Sequence, residues 1–417
     1  MRRLSRLDGR VVAGGAVVVF FAVLLLFRAT TGVTPWATVG VAPGDLSFAD
    51  LRSVTSSWDC ERRGVEAFPY NPCDPFIHSS AFRRAANYPR LWTSFWHLGL
   101  GEGDTVPLGV AIAVVFYVAA LAVTGPLTLG EGVVYAAALL APATLLGVER
   151  GNVDLLMFAL IVAGLLLLPR SAWAAAVPLV LAGVLKLFPA AGIAVLFRRR
   201  GRFIAGLAAA AVLVAYGLAT LSDIRTLRSV IPREVVNSYG AGVVADALRS
   251  TGVSWAQTGS DVRYVRLAVL VLGLLLAALL LQRRWLPGRT SLGSDNDRRM
   301  DAFWAGGAVY SASYVFGNNF DYRLAFLLLC VPQLCAWGRR PGLVGRMPWV
   351  VLGALIATLW LSSAQPPLPF GLQTWYEGLS FPPEEILNWA LFAWIIGAVV
   401  ATAPLALPRR LAWGGVR

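Results

Sequence analysis

A small set of charged residues stands at the ends of apolar segments, where charge is costly. The set comprises Asp50, Glu149, Arg150, Asp154, Lys186, Asp321 and Arg323. Charges near membrane depth cost about 2.5–3.5 kcal/mol each on insertion scales, so they usually face a protein interior and often mark function. Cationic side chains beside helix ends suit a phosphate group, and a nearby carboxylate suits proton removal from a hydroxyl. The set predicts these two chemistries side by side.

Lys186 is the single lysine in the chain, and it lies inside the apolar stretch GVLKLFPAAG (183–192). The surrounding segment, 173–197, is long for one membrane passage and far too short for two full ones. Pro189 interrupts it, because proline removes a backbone donor and clashes with the preceding turn. The segment is therefore either one tilted passage or a broken hairpin that turns within the membrane.

Composition predicts an all-α polytopic membrane protein. Of 417 residues, 57% are hydrophobic and 14% are charged, and the mean hydropathy is +0.65. The net charge of +13 does not indicate a nucleic-acid partner, because the arginines cluster between apolar segments as cytoplasmic anchors do. The expected partner is the lipid bilayer.

The apolar segments predict about twelve membrane passages in one domain, 1–417, if 173–197 supplies two of them. The other ten are 11–27, 107–124, 131–147, 152–168, 203–221, 264–282, 300–316, 322–337, 348–363 and 386–403. Two long extracytoplasmic loops, 28–105 and 222–263, complete this topology.

Arginine clusters favour the hairpin. With the arginine-rich N-terminus in the cytoplasm, a hairpin places all the later clusters in the cytoplasm too, as the positive-inside rule expects. Those clusters are 198–202, 283–289, 338–346 and 408–410. Both termini are then cytoplasmic in the inner (plasma) membrane, and Lys186 lies at the hairpin tip facing an extracytoplasmic cavity.

The cysteines and histidines add little. Cys60 and Cys73 share the first loop, and whether they form a disulfide stays open. His78 and His97 are assigned to surface or packing, and no cluster has metal-ligand spacing, so neither a metal site nor a cofactor is predicted.

Four short motifs, in this order, resemble the GT-C glycosyltransferases, and more narrowly glycosyltransferase family 87. That family contains polyprenyl-phosphate-mannose-dependent α-mannosyltransferases of actinobacteria. The motifs are FADLRS (48–53), ANYPRLW (86–92), ERGNVDLLMFAL (149–160) and GVLKLFPA (183–190). The third motif departs from the family in having Asn152 for glutamine and Asp154 for asparagine. A later stretch, FGNNFDYR (316–323), has Asn318 and Asn319 where many members carry histidines.

The resemblance implies a GT-C-like bundle and a specific reaction. The donor would be a polyprenyl-phosphate sugar, and the acceptor a glycolipid or cell-envelope glycan on the extracytoplasmic side. Asp50 would be the catalytic base, and Lys186, Arg150 and Arg323 would hold the donor phosphate. The implied substrate-binding residues are Glu149, Asn152, Asp154, Tyr88, Asn318, Asn319 and Asp321. The donor arrives activated, so no nucleotide site is needed; a divalent cation stays open.

Other functions remain compatible with these residues. A multi-pass transporter or lipid flippase would also use broken helices and buried charges. A non-catalytic partner in envelope assembly would keep the fold without the chemistry. The charges themselves also have a structural alternative, as ion pairs such as Arg150 with Asp321 or Arg323 with Glu149.

Overall fold

The fold is almost entirely helical. The computed structural model describes residues 8–44, 46–75, 88–230, 235, 237–250, 259–282, 286, 297–362 and 370–403. Its α-helices are α1 (Gly9–Thr31), α2 (Ala49–Arg62), α3 (Thr105–Val123), α4 (Leu129–Leu139), α5 (Pro142–Arg150), α6 (Asp154–Leu167), α7 (Ala172–Leu185), α8 (Phe203–Ala219), α9 (Leu221–Val230), α10 (Val243–Ser250), α11 (Gly259–Gln282), α12 (Asp297–Phe316), α13 (Val331–Gly338), α14 (Leu343–Leu361) and α15 (Phe370–Ala401). Shorter 3₁₀ helices lie at Pro35–Val39, Arg90–Leu98, Glu102–Asp104, Phe188–Arg198, Arg200–Arg202 and Asp321–Leu329. The strands β1 (Ser238–Tyr239) and β2 (Asn319–Phe320) form one antiparallel pair.

Several of these helices are long and apolar enough to cross a bilayer. Within the described ranges there are five, lying in α1, α3, α8, α11 and α15, and six if α4 and α5 together form one passage bent by 51°. Four further apolar helices have only 10–17 residues. The chain is thus an all-α polytopic membrane protein. Twelve passages stay a prediction, because several expected passages are divided into short arms.

At one end of the bundle, ion pairs between arginines and carboxylates join several helices. Arg299 Nη1 lies 3.1 Å from Glu131 Oε1, Arg198 Nε lies 2.5 Å from Asp301 Oδ1, and Arg339 also pairs with Glu131. These contacts join the starts of α4 and α12 to the ends of α13 and of the 3₁₀ helix Phe188–Arg198. We call this the arginine end.

The start of α1 belongs to the same end. The N–H of Gly9 donates to the carbonyl of Leu127 at 2.8 Å. Asp8 caps α1 by accepting from the backbone N–H of Arg10, and the Arg10 side chain holds the pKa of that carboxyl well below its usual range. The cap therefore stays ionised at neutral pH. The arginine clusters at 283–289, except Leu286, and at 408–410 lie outside the described residues.

The segment 173–197 leaves helical geometry at its lysine. Helix α7 ends at Leu185, Lys186 is extended (φ −155°, ψ 122°), and the chain resumes as the 3₁₀ helix Phe188–Arg198. The two arms touch, since a Cβ on Gly183 would lie 3.0 Å from the Cα of Ala190. Because Arg198 returns to the arginine end, Lys186 lies at the opposite end, which we call the lysine end.

The first loop packs onto this tip. The indole N–H of Trp92, in the 3₁₀ helix Arg90–Leu98, donates to the carbonyl of Leu185 at 2.8 Å, and Trp58 of α2 donates to the carbonyl of Trp92 at 2.7 Å. Cys60 at the end of α2 forms a disulfide with Cys73, which answers the question the sequence left open. Helix α2 is thus fixed against the broken segment.

Candidate functional site

Lys186 lies at the centre of a buried polar cluster. Its ammonium Nζ is 2.5 Å from Asp154 Oδ1 and 3.5 Å from Asn152 Oδ1. Only 5% of Lys186 and 2% of Asp154 are exposed. Asp154 is the first residue of α6, where the positive end of the helix dipole stabilises a carboxylate. The broken segment therefore brings its charge to a prepared counter-ion.

Asn152 connects this ion pair to Asp50. Its amide Nδ2 donates to Asp50 Oδ2 at 2.6 Å, while its Oδ1 accepts from the backbone N–H of Asp154 at 2.9 Å. The second contact fixes which side of the amide faces the lysine. The side chain is 1% exposed, so Asn152 positions Asp50 and Lys186 relative to each other.

A glycine turn allows this approach. Gly151 ends α5 in the left-handed region (φ 59°), and a Cβ there would come within 2.9 Å of Phe48, the residue that precedes α2. The backbone N–H of Phe48 also donates to the carbonyl of Glu149 at 3.2 Å. Because residue 151 has no side chain, the start of α2, with Asp50 in its first turn, can lie against Asn152.

Arg323 supplies a second cation on the far side of Asp154. Its Nε lies 3.4 Å from Asp154 Oδ2, it donates to Asn319 Oδ1, and its guanidinium lies 4.6 Å from the centre of the Phe188 ring. Lys186 and Arg323 thus share one carboxylate, and the three groups together carry one net positive charge.

Aromatic rings enclose the lysine. Its ammonium is 4.8 Å from the centre of the Tyr88 ring and 6.0 Å from that of Phe188, within the range of cation–π attraction. The Tyr88 and Trp92 rings are 5.8 Å apart. Together with the Trp92 contact to Leu185, these rings limit the access of water to the ion pair.

The remaining predicted residues lie around this cluster. Arg150 pairs with its neighbour Glu149 at 3.1 Å, and Glu149 Oε1 accepts from the N–H of Gly44 at 2.7 Å. Both Glu149 oxygens thus serve local structure, and the observed pairing differs from the Arg150–Asp321 and Arg323–Glu149 alternatives. Phosphate binding by Arg150 stays a prediction.

The stretch FGNNFDYR (316–323), which contains β2, is held by contacts with α10 and with the residue that precedes β1. Asn318 donates to Asp246 Oδ2 at 3.1 Å, and the N–H of Asp321 donates to the carbonyl of Asn237 at 3.0 Å. Asp321 is fully buried. These contacts hold the chain of β2 in place just before Arg323, which is how the second cation is positioned.

Sequence reasoning missed three contributors. Trp92 and Phe188 stand inside motifs that were noticed, PRLW and KLFP, but neither aromatic residue was given a role. Tyr322 lies close to the side chain of Asn152 and is 8% exposed. The signal available for all three was their place within two residues of a charged residue in a motif.

The cluster places the half-buried carboxylate of Asp50 near one buried cation, Lys186, and one half-buried cation, Arg323, at one end of an apolar bundle. Within the described residues, no group of three or more His, Cys, Asp or Glu side chains is arranged to hold a metal ion. Fold and site together define a helical membrane protein in which a carboxylate lies beside two paired cationic side chains at the lysine end.

Comparison with known proteins supports a family relationship. A family model described as glycosyltransferase family 87 matches residues 98–295, which confirms the relationship that the motifs indicate. The match includes Asn152, Asp154 and Lys186 but not Asp50 or Arg323. No curated protein and no solved structure matches the chain. The relationship supports a membrane glycosyltransferase in general.

Proposed function

We propose that the protein transfers a sugar from a polyprenyl-phosphate donor to a glycolipid or cell-envelope glycan. The resemblance to glycosyltransferase family 87 favours mannose as that sugar. The single observation that carries the proposal is the Asp50–Asn152–Lys186–Asp154–Arg323 network, which joins a carboxylate to an anion-complementary pair of cations. The membrane-embedded setting suits a donor whose chain lies in the bilayer. The sugar and the donor class rest on the resemblance.

In this proposal Lys186 and Arg323 hold the donor phosphate. A sugar phosphodiester carries one negative charge, which matches the net charge of the two cations and Asp154. The ammonium acts as a compact point charge, while the guanidinium offers several donors in a fixed plane. Both are held before the donor binds, so little reorganisation is needed during reaction.

Asp50 is the proposed base. Asn152 engages its Oδ2, and we assign Oδ1 to the acceptor. Asp50 is partly exposed, so an acceptor hydroxyl can reach it. Asp50 takes the hydroxyl proton, the hydroxyl oxygen bonds to the anomeric carbon, and the bond from that carbon to the phosphate oxygen breaks. The leaving phosphate gains charge beside Lys186 and Arg323, which stabilise it.

We further propose that the lysine end faces the extracytoplasmic side of the plasma membrane and that both termini are cytoplasmic. The arginine clusters at the other end support this orientation through the positive-inside rule. The Cys60–Cys73 disulfide at the lysine end supports it too, since disulfides persist in oxidising compartments.

The test is transfer from a radiolabelled polyprenyl-phosphate sugar in membranes expressing the protein. Asp50→Asn and Lys186→Ala are each expected to abolish transfer while the protein still accumulates. Asp59→Asn, which removes a carboxylate from the same helix at a distance from Lys186, is the matched control and is expected to stay active. Full activity of either site variant would refute its proposed role. Solute counterflow in liposomes without any glycosyl product would favour a transporter.

A further inference from the structure

A second group of buried polar side chains lies between α12, α14 and α15. Glu384, Glu385 and Asn388 are on α15, Tyr310 is on α12, and Ser362 follows α14. The two glutamates are each 7% exposed and Asn388 is 0% exposed. None of these residues takes part in the network around Lys186.

Two polar atoms of this group have no hydrogen-bond partner among the residues that the structure describes. Glu384 Oε1 accepts from the Ser362 hydroxyl at 2.6 Å, and the Tyr310 hydroxyl donates to the carbonyl of Asn388 at 2.8 Å. By contrast, Glu385 Oε1 and the amide nitrogen of Asn388 have no hydrogen bond to any described residue. Neither Glu384 nor Glu385 forms a salt bridge with any described residue. Leaving a buried polar group without a hydrogen bond is unfavourable, so a ligand that satisfies both atoms would bind favourably.

Glu385 and Asn388, which carry the two unsatisfied atoms, lie on the same side of α15. Glu385 and Asn388 are three residues apart on α15, which puts them on the same helix face. The Tyr310 hydroxyl donates to Asn388, which lies one helical turn along α15 from Glu385. A carboxylate acceptor, an amide donor and a phenol oxygen therefore converge between α12 and α15.

This group adjoins the Lys186 network. The ring of Tyr310 stacks on that of Tyr239 at 5.8 Å between centres, and Tyr239 pairs with Asn319 across the two strands. Asn319 in turn accepts from Arg323. The two polar groups are thus neighbours, connected through the packed side chains of Tyr239 and Asn319.

We propose that Glu385, Asn388 and Tyr310 bind hydroxyl groups of the sugar ring of the acceptor. A sugar offers closely spaced hydroxyls that both donate and accept, which matches a carboxylate next to an amide and a phenol. A phosphate would be repelled by two carboxylates, and two carboxylates provide too few ligands for a calcium ion. The inference rests on the proposed function, because it names a subsite for that reaction.

Binding of sugar amphiphiles without any donor tests this subsite. The full chain in lipid nanodiscs is titrated with octyl mannoside, octyl glucoside and a sugar-free octyl oligoethylene glycol ether, and tryptophan fluorescence is followed. The wild type is expected to bind at least one glycoside more tightly than the ether. Glu385→Gln is expected to weaken glycoside binding about tenfold or more, as loss of a hydrogen bond to a charged group does, with ether binding unchanged.

Glu384→Gln is the matched control, because it removes the same charge one residue away while its amide oxygen still accepts from Ser362. It is expected to bind glycosides like the wild type. The melting temperature of Glu385→Gln should stay level or rise, since the change neutralises a buried carboxyl group whose Oε1 has no hydrogen bond within the described part of the chain. A purely structural role predicts a lower melting temperature with unchanged binding, and this result would overturn the inference.

Two further outcomes separate this inference from the proposed function. If no glycoside binds better than the ether, or if Glu385→Gln binds as the wild type does, the subsite is wrong even where transfer is observed. If the glycosides bind through Glu385 but no sugar is transferred from a polyprenyl-phosphate donor, the proposed function fails and a sugar-binding site remains.

Discussion

Asp154→Asn is the sharpest test of the charge arrangement, because this buried carboxylate pairs with two cations, the buried Lys186 and the half-buried Arg323. Coulomb's law with an effective dielectric constant of about 20 gives about 7 kcal/mol of attraction at the 2.5 Å separation from Lys186, and about 5 kcal/mol at the 3.4 Å from Arg323. Much of this offsets the cost of removing the charges from water. Breaking one buried pair by deleting a partner typically costs about 3–5 kcal/mol, and we expect a loss of that size.

A double-mutant cycle with Lys186→Met isolates the pair. Lys186→Met should cost less than Asp154→Asn, since Asp154 keeps Arg323. The double variant should cost less than the sum of the two single changes by about 1.5 kcal/mol or more, because it no longer leaves the ammonium unpaired. Unfolding free energies are measured in mixed dodecyl maltoside and SDS micelles by tryptophan fluorescence. Additive losses would show that the two groups do not interact, and the reasoning about the site would fail.

Three other predictions follow from the described contacts. Asp50→Asn should lower the rate of sugar transfer about 100-fold or more, as loss of a general base does, without lowering the melting temperature by more than a few degrees; retained transfer would contradict the role. Replacing Cys60 and Cys73 together by alanine should lower the unfolding free energy by about 2–4 kcal/mol, measured in the same micelles, and equal stability would mean that the crosslink is unimportant. A cysteine at Arg200, which is exposed at the arginine end, should react with an impermeant thiol reagent only after cells are permeabilised; labelling of intact cells would reverse the proposed orientation.

The membrane class, the interruption at Lys186 and the family relationship were accessible from the sequence. The apolar content requires membrane-spanning helices, and a charge next to a proline inside an apolar run requires a local break and a polar environment. These are local properties of a short stretch of chain, so they can be recognised without knowing what packs against it.

The tertiary structure decided which charged and polar side chains contact each other. In the sequence, Arg150 and Arg323 are equivalent cations at helix ends. In the structure, Arg150, just before the turn at Gly151, pairs with Glu149. Arg323 follows the strand pair and lies against Asp154. The role of Asn152 as a bridge was likewise hidden, because its two partners, Asp50 and Lys186, are 102 and 34 residues away along the chain.

The sequence by itself determined that this chain is a helical membrane protein with a broken segment carrying its only lysine. The fold decided which carboxylate neutralises that lysine and which amide connects it to Asp50. The physical reason is distance: hydropathy and helix breaking act over a few residues, whereas electrostatic pairing at 2.5–3.5 Å depends on how segments far apart in the chain are brought together.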